Sequence, residues 1–422
     1  MRDPRSEELY SRSKALTPGG VSSPVRAFSP NPLFIESGCG SRIKDADGNE
    51  YVDLCMAYGP LIAGHACPDV VDAAEGCIRK GTVYGAPSEP ELALIEAISE
   101  QMPCCDMVRL ACSGTEATMH AIRLARGYTG RNGIVKINGG FHGAHDAVLI
   151  AAGSGSAQGV PGSAGVPADA VRNTYAVEYN DADMLESLLD GNEDIAAVIM
   201  EPVLGNVGVV PPRKGYLEDV RRITRSHGVL LIFDEVITGF RLSEGGAQKM
   251  LGVTPDLTTM GKIIGGGFPA GAFGGRRDIM ENVAPAGKVY AAGTFAGNPV
   301  SATAGLALLR YMRGRYEGLN RSTASLVASL RDSLADNRVK GCIQSVGSMF
   351  SIGIGAESIT NGTEAQTVDR KTFASLFAHM LDSGVYLPPS ALEVEFMSTA
   401  HTEEDARIVS EAFDSFARGL RA

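Results

Sequence analysis

Short, largely apolar runs recur through the middle of the chain, at residues 133–137, 195–200 and 229–233. Between them lie apolar positions spaced three and four apart, at 116–126 and 216–226. The first pattern predicts strands buried on both faces and the second predicts helices laid against them, so the centre reads as α/β with a mainly parallel sheet. Upstream, residues 41–54 carry short extended runs around Asp45-Ala-Asp47-Gly48-Asn49, the signature of a hairpin. After Asn298-Pro299 a helical pattern extends to about 313, and helices mixed with a strand-like 349–354 follow. The expected division is an N-terminal segment 1–57, a large domain 58–313 and a smaller α+β C-terminal domain 314–422. Residues 151–170 are rich in Gly and Ser and poor in bulky side chains, so they cannot build a core. Their place directly after His142 and His145 suggests a lid; a spacer is the plain alternative.

Composition narrows the class. The 422 residues exceed one ordinary hydrophobic core, and 44% apolar with 21% charged residues is ordinary for a folded protein. A net charge of -11 without any dense Lys/Arg tract argues against nucleic acid or an anionic membrane as the main partner. Residues 1–10 are polar rather than signal-like, which favours a cytoplasmic reading. The eight cysteines form no C-x-x-C pair, and the histidines are not spaced around them as metal ligands are.

The candidate chemistry lies in three places. Ser113-Gly114-Thr115-Glu116 precedes a helical pattern, where backbone amides and hydroxyls can grip an anion; a simple N-cap is the bland reading. The apolar run ending in Asp234 places Asp234 and Val236 on one face, with Glu235 turned away. Alone, such an aspartate more often bonds a neighbouring loop. Lys262 sits in Gly-Lys262-Ile-Ile-Gly-Gly-Gly, either as a surface lysine in a glycine turn or as an amine able to form a Schiff base. The order is more specific than any member. A phosphate-type helix start, the pair Phe141-His142, a strand-end Asp and a Gly-flanked Lys occur in this order in pyridoxal phosphate enzymes of the aspartate aminotransferase fold type, fold type I.

Over nearly its full length the chain resembles the class III aminotransferases. Within them it is similar to the branch of aminomutases acting on glutamate 1-semialdehyde. The shared runs include residues 18–28 (Pro-Gly-Gly-Val-Ser-Ser-Pro-Val-Arg-Ala-Phe), 112–118, 233–241, 261–267, 292–294 and 297–299, and the first discriminates best. The resemblance implies a Schiff-base role for Lys262 and a pyridine-nitrogen contact for Asp234. It implies a phosphate cradle at Ser113, Gly114 and Thr115, with Phe141, His142, Asn206 and Val236 around the cofactor ring. Thr294 would reach the phosphate in a neighbouring subunit, which implies a homodimer with shared sites. Ser23 and Arg26 would hold a substrate carboxylate, Tyr58 would form a wall, and Glu393 would face the substrate region. The cofactor would be pyridoxal 5'-phosphate, alternating with pyridoxamine 5'-phosphate. Residues 143–172 would correspond to the mobile lid, and an upstream reductase is a transient partner by pathway logic alone.

The chain departs from that branch at four places. Tyr58 stands where a tryptophan is usual, Phe141 replaces a tyrosine, His142-Gly143-Ala144-His145 replaces His-Gly-His, and Glu395 replaces a glycine. A second acid there is expected to repel a substrate carboxylate. Two other readings stay open: a class III aminotransferase using an external keto acid, and a non-catalytic cofactor-binding regulator.

Overall fold

The computed structural model describes residues 4–150 and 163–421. The chain groups into two compact units, Met1–Cys67 with Glu317–Ile359 and Ala365–Ala422, and Pro68–Tyr316 with Thr360–Glu364. Residues 151–162, inside the segment read as a lid, lie outside the described residues.

In the first unit, strands β1 (Ile35–Cys39), β2 (Arg42–Asp45) and β3 (Glu50–Asp53) form an antiparallel meander. Asp45 builds the expected hairpin turn. Its Oδ1 accepts the amides of Asp47 and Asn49 at 3.0 and 2.8 Å, and Gly48 supplies the left-handed φ of 89° that closes it.

The second unit is built on seven strands: β4 (Met107–Ala111), β5 (Gly133–Ile137), β6 (Thr174–Val177), β7 (Ile195–Met200), β8 (Leu230–Asp234), β9 (Leu257–Gly261) and β10 (Gly271–Gly275). Their order is β4-β10-β9-β8-β7-β5-β6. Pairs from β6 through β9 are parallel, while β10 runs antiparallel to both its neighbours, so the sheet is mainly parallel as expected. Every residue of β5, β7 and β8 is buried, which is why these strands read as largely apolar runs despite Lys136 and Asp234. Ala121, Leu124 and Ala125 of the helix Gly114–Thr129 join Ile134, Ile199 and Ile232 of the sheet in one core.

One charged knot ties this sheet at its edge of entry. Asp256, just before β9, accepts a two-pronged bond from Arg221 at 2.6 and 2.9 Å, the Leu231 amide at 2.9 Å and Arg276 at 3.0 Å. Burial alone raises the Asp256 pKa, but these donors outweigh it and hold the carboxyl below its usual 3.8. The knot's contribution is therefore present above that pH and is lost as pH falls through the lowered value. Arg221→Ala is expected to cost ~3 kcal/mol of stability in urea unfolding at neutral pH, because it strips the better-buried cation from a buried anion.

The C-terminal strands complete the first unit. Strands β11 (Gly341–Val346) and β12 (Met349–Ile354) pair antiparallel, β13 (Val385–Tyr386) pairs parallel with β3, and β14 (Glu395–Phe396) pairs with β12. The N-terminal residues group in one compact unit with the C-terminal ones, and Val52 lies in register with Val385. Glu395 faces inward, fully buried, with neither carboxylate oxygen partnered among the described residues. Burial pushes its pKa well up, which favours the uncharged form of this acid.

Candidate active site

The carboxyl ends of the parallel strands in the second unit converge on a cavity of about 220 Å³. Ligand crevices form at this edge in open α/β sheets because strand ends deliver side chains while helix starts deliver free amides. Ser113, Gly114, Thr115, Phe141, Asn206, Asp234, Val236 and Lys262 all line it. His142 lies buried behind it, bonded to Asp234.

The helix Gly114–Thr129 begins at the cavity wall. Ser113 caps it by accepting the Glu116 amide at 3.2 Å, while the Glu116 carboxylate takes the Cys112 amide at 2.9 Å. The remaining first-turn amides carry the helix's positive end toward the cavity. Gly114 has to be glycine: a Cβ there would sit 2.9 Å from Cγ1 of Val236. Gly114→Ala is expected to lower stability by ~1–3 kcal/mol in chemical denaturation, since Val236 must move to admit the methyl.

Asp234 ends β8, 3% exposed. Its Oδ2 bonds His142 Nδ1 at 2.7 Å, and its Oδ1 accepts the Val236 amide at 3.1 Å and the Thr259 hydroxyl at 3.2 Å. Burial depresses the His142 pKa, against the pull of Asp234, so the ring is neutral and donates from Nδ1. The His142 carbonyl in turn accepts the Thr118 hydroxyl at 2.6 Å. Glu235 points away, as read from the strand alternation, and accepts the amides of Ala247 and Gln248. Lys262 follows directly on β9 with a left-handed φ of 48°, held among glycines.

Two buried charges were not singled out by the sequence. Glu201, immediately after β7, accepts the Phe141 amide at 3.1 Å, Asn206 Nδ2 at 2.9 Å and the Gly205 amide at 2.8 Å. Burial, and then the charge of Asp234, raises its pKa to about 7. Lys136 in β5 donates to the carbonyls of Gly140 and Ile150 at 2.8 and 2.7 Å, and burial lowers its pKa to about 7. Together they pin the loop that presents Phe141. A signal existed for Glu201, since it follows an apolar strand just as Asp234 does.

Other expected residues lie elsewhere. Thr294 is exposed and does not line this cavity. Ser23, Arg26, Tyr58 and Glu393 belong to the first unit, where Arg26 and Tyr58 border a separate hollow of about 480 Å³ and Ser23 does not. The negative charge of Glu393 reaches Tyr58 and helps raise its pKa, although burial is the larger cause.

Residues 25–418 match the family Aminotransferase class-III. The chain belongs to the class III aminotransferases. It is 50% identical, over 99% of its length and 100% of the relative's, to the glutamate-1-semialdehyde 2,1-aminomutase of Methanothermobacter thermautotrophicus. Among solved structures it is similar to an omega-transaminase from Sphaerobacter thermophilus, with a TM-score of 0.92 and 34% identity over 99% of this chain and 98% of that one. It is also similar to a glutamate-1-semialdehyde aminomutase from Pseudomonas aeruginosa PAO1 in complex with PMP, with a TM-score of 0.87 and 28% identity over 98% and 94%. The fold is thus the aspartate aminotransferase-like fold type I expected from the sequence. Among the described residues of this class III chain, no helix is long and apolar enough to cross a membrane.

Proposed function

We propose that the chain isomerises (S)-4-amino-5-oxopentanoate, glutamate 1-semialdehyde, to 5-aminolevulinate by internal amino exchange through 4,5-diaminovalerate, a step of tetrapyrrole (porphyrin) synthesis. The observation carrying this reading is the convergence of Lys262, buried Asp234 and the Ser113-capped helix start on one cavity, in a chain whose curated relatives bear the aminomutase name.

The cavity suits pyridoxal or pyridoxamine 5'-phosphate. An anion finds amides and hydroxyls at Ser113, Gly114 and Thr115, and a pyridine nitrogen finds a buried carboxylate whose remaining partners are already fixed. When bound, the cofactor supplies an electron-withdrawing ring and an exchangeable amino group. The chain's residues do the rest. Asp234 would keep negative charge at the ring nitrogen, and neutral His142 holds that carboxylate in place. Phe141 and Val236 would cover the two ring faces, and Asn206, oriented by Glu201, would face the ring hydroxyl. Lys262 would hold the cofactor covalently between turnovers and, as a free amine, would carry a proton from one carbon to another.

In the first unit, Ser23 and Arg26 hold the substrate carboxylate, for which a guanidinium fork is suited, and Tyr58 and Glu393 border the substrate. Thr294 serves the phosphate of a second copy, giving a homodimer. Its exposure beside the exposed Tyr290 and Phe295, 71% and 60% accessible in the single chain, supports such a face. A cytoplasmic location and transient delivery of the unstable aldehyde by the upstream reductase belong to the same reading.

The test is anaerobic incubation of the cofactor-loaded protein with glutamate 1-semialdehyde and no other amine or keto acid. Several turnovers of 5-aminolevulinate per site are expected. Product only after another amino donor or keto acid is added would replace this reading with an ordinary class III aminotransferase.

A further inference from the structure

The hollow of the first unit is bordered by a backbone turn that needs holding. Met56, Ala57 and Tyr58 have φ of 45°, 56° and 64°, three consecutive non-glycine residues in the left-handed region. Each is disfavoured by its own Cβ, so such a turn persists only where its surroundings over-determine it.

Asp53 supplies that determination. Its Oδ1 accepts the amides of Cys55 and Met56 at 2.8 and 3.0 Å, and its Oδ2 takes His65 Nε2 at 2.7 Å. The carboxylate is 3% exposed and its acceptor sites face donors. His65 is a firm prop: its amide and carbonyl both bond Gly40, at 2.7 and 2.9 Å, and its ring lies so close to Gly38 that a Cβ there would sit 2.7 Å away. His401 Nε2 adds a bond to the Asp53 carbonyl at 3.1 Å.

The turn's other end reaches the candidate carboxylate site. The Tyr58 hydroxyl donates to the Val25 carbonyl at 2.6 Å, inside the short helix Pro24–Arg26, whose neighbours close on themselves through Arg26 N to Ser23 O and Ala27 N to Pro24 O, both 3.1 Å. Burial keeps the phenol protonated and therefore a donor. We propose that Asp53, propped by His65, is a positioning residue for substrate recognition: it fixes the left-handed turn so that the Tyr58 hydroxyl braces residues 23–26 and sets where Arg26 meets a substrate carboxylate. This rests on the function proposed above. It also gives the tyrosine that replaces the usual tryptophan a specific task.

The test compares Tyr58→Phe, Asp53→Asn and their double variant with the wild-type holoenzyme, reading KM, kcat and cofactor absorbance. Loss of one hydrogen bond along the brace is expected to raise KM about fivefold in Tyr58→Phe, with kcat and cofactor content held within about twofold. Asp53→Asn is expected to raise KM at least as much. The double variant is expected to cost no more than the larger single change, because both act along one path. An unchanged KM in Tyr58→Phe overturns the proposal, as does a parallel fall of kcat and cofactor content. Additive effects in the double variant overturn it too. If Asp53→Asn does not fold, His65→Gln takes its place in the cycle. If the wild type makes no 5-aminolevulinate, the function fails but the positioning claim is still decided, by titrating 4-oxopentanoate against the cofactor spectrum. Weaker binding by the same variants upholds it, and equal binding overturns it.

Discussion

Lys262→Ala is expected to lower turnover of glutamate 1-semialdehyde by roughly 10⁴-fold, near the upper range for loss of a positioned proton-transfer group. Lysine here has both a covalent and a proton-carrying task, and alanine can do neither. The fold is expected to survive. Lys262 adopts φ 48° in a turn closed by Gly266, and alanine meets the same left-handed cost that lysine already bears. Circular dichroism and urea unfolding check the fold, while single-turnover assay of 5-aminolevulinate checks the chemistry. A variant retaining more than a few per cent of wild-type turnover sinks the assignment. Equal inactivity of both proteins, with cofactor bound, favours the regulator reading instead.

Asp234→Asn is expected to cost about 10²–10³-fold in kcat, the scale of losing one preorganised electrostatic contact in a dry site. The substitution keeps volume and leaves an oxygen for the Val236 amide and Thr259 hydroxyl. The new amide then faces His142 Nδ1, which accepts once the buried ring changes tautomer. Geometry is thereby retained while the negative charge is lost. A fall below threefold, measured together with cofactor absorbance, would remove Asp234 from its assigned role.

Strands such as Gly133–Ile137 and Ile195–Met200 were legible because burial on both faces leaves a largely apolar run, broken in the first only by Lys136. The helix Tyr216–Ser226 was legible from its periodicity. The strand Gly271–Gly275 was not. Its glycines carry no pattern, and they are there because the Ser113 carbonyl would lie 2.1 Å from any Cβ at Gly271. For the cavity, residue order singled out Ser113, Asp234 and Lys262, since each follows or starts a regular element. Glu201 was marked only by its place after an apolar strand, and its bonds and those of Lys136 to the Phe141 loop depend on strands β5 and β7 lying side by side. The Asp53 brace was hidden for the same reason, because its partners are fixed by tertiary pairing rather than by spacing.

The grouping of the two chain ends in one compact unit bears on how the molecule is made. Synthesis from the N-terminus releases β1, β2 and β3 first, yet β3 finds its parallel neighbour only when Val385 emerges. Nearly all of the second unit, Pro68–Tyr316, leaves the ribosome in the interval and has its own core. The middle of the protein is thus free to fold while its beginning waits, and the last strands to be translated close the first ones.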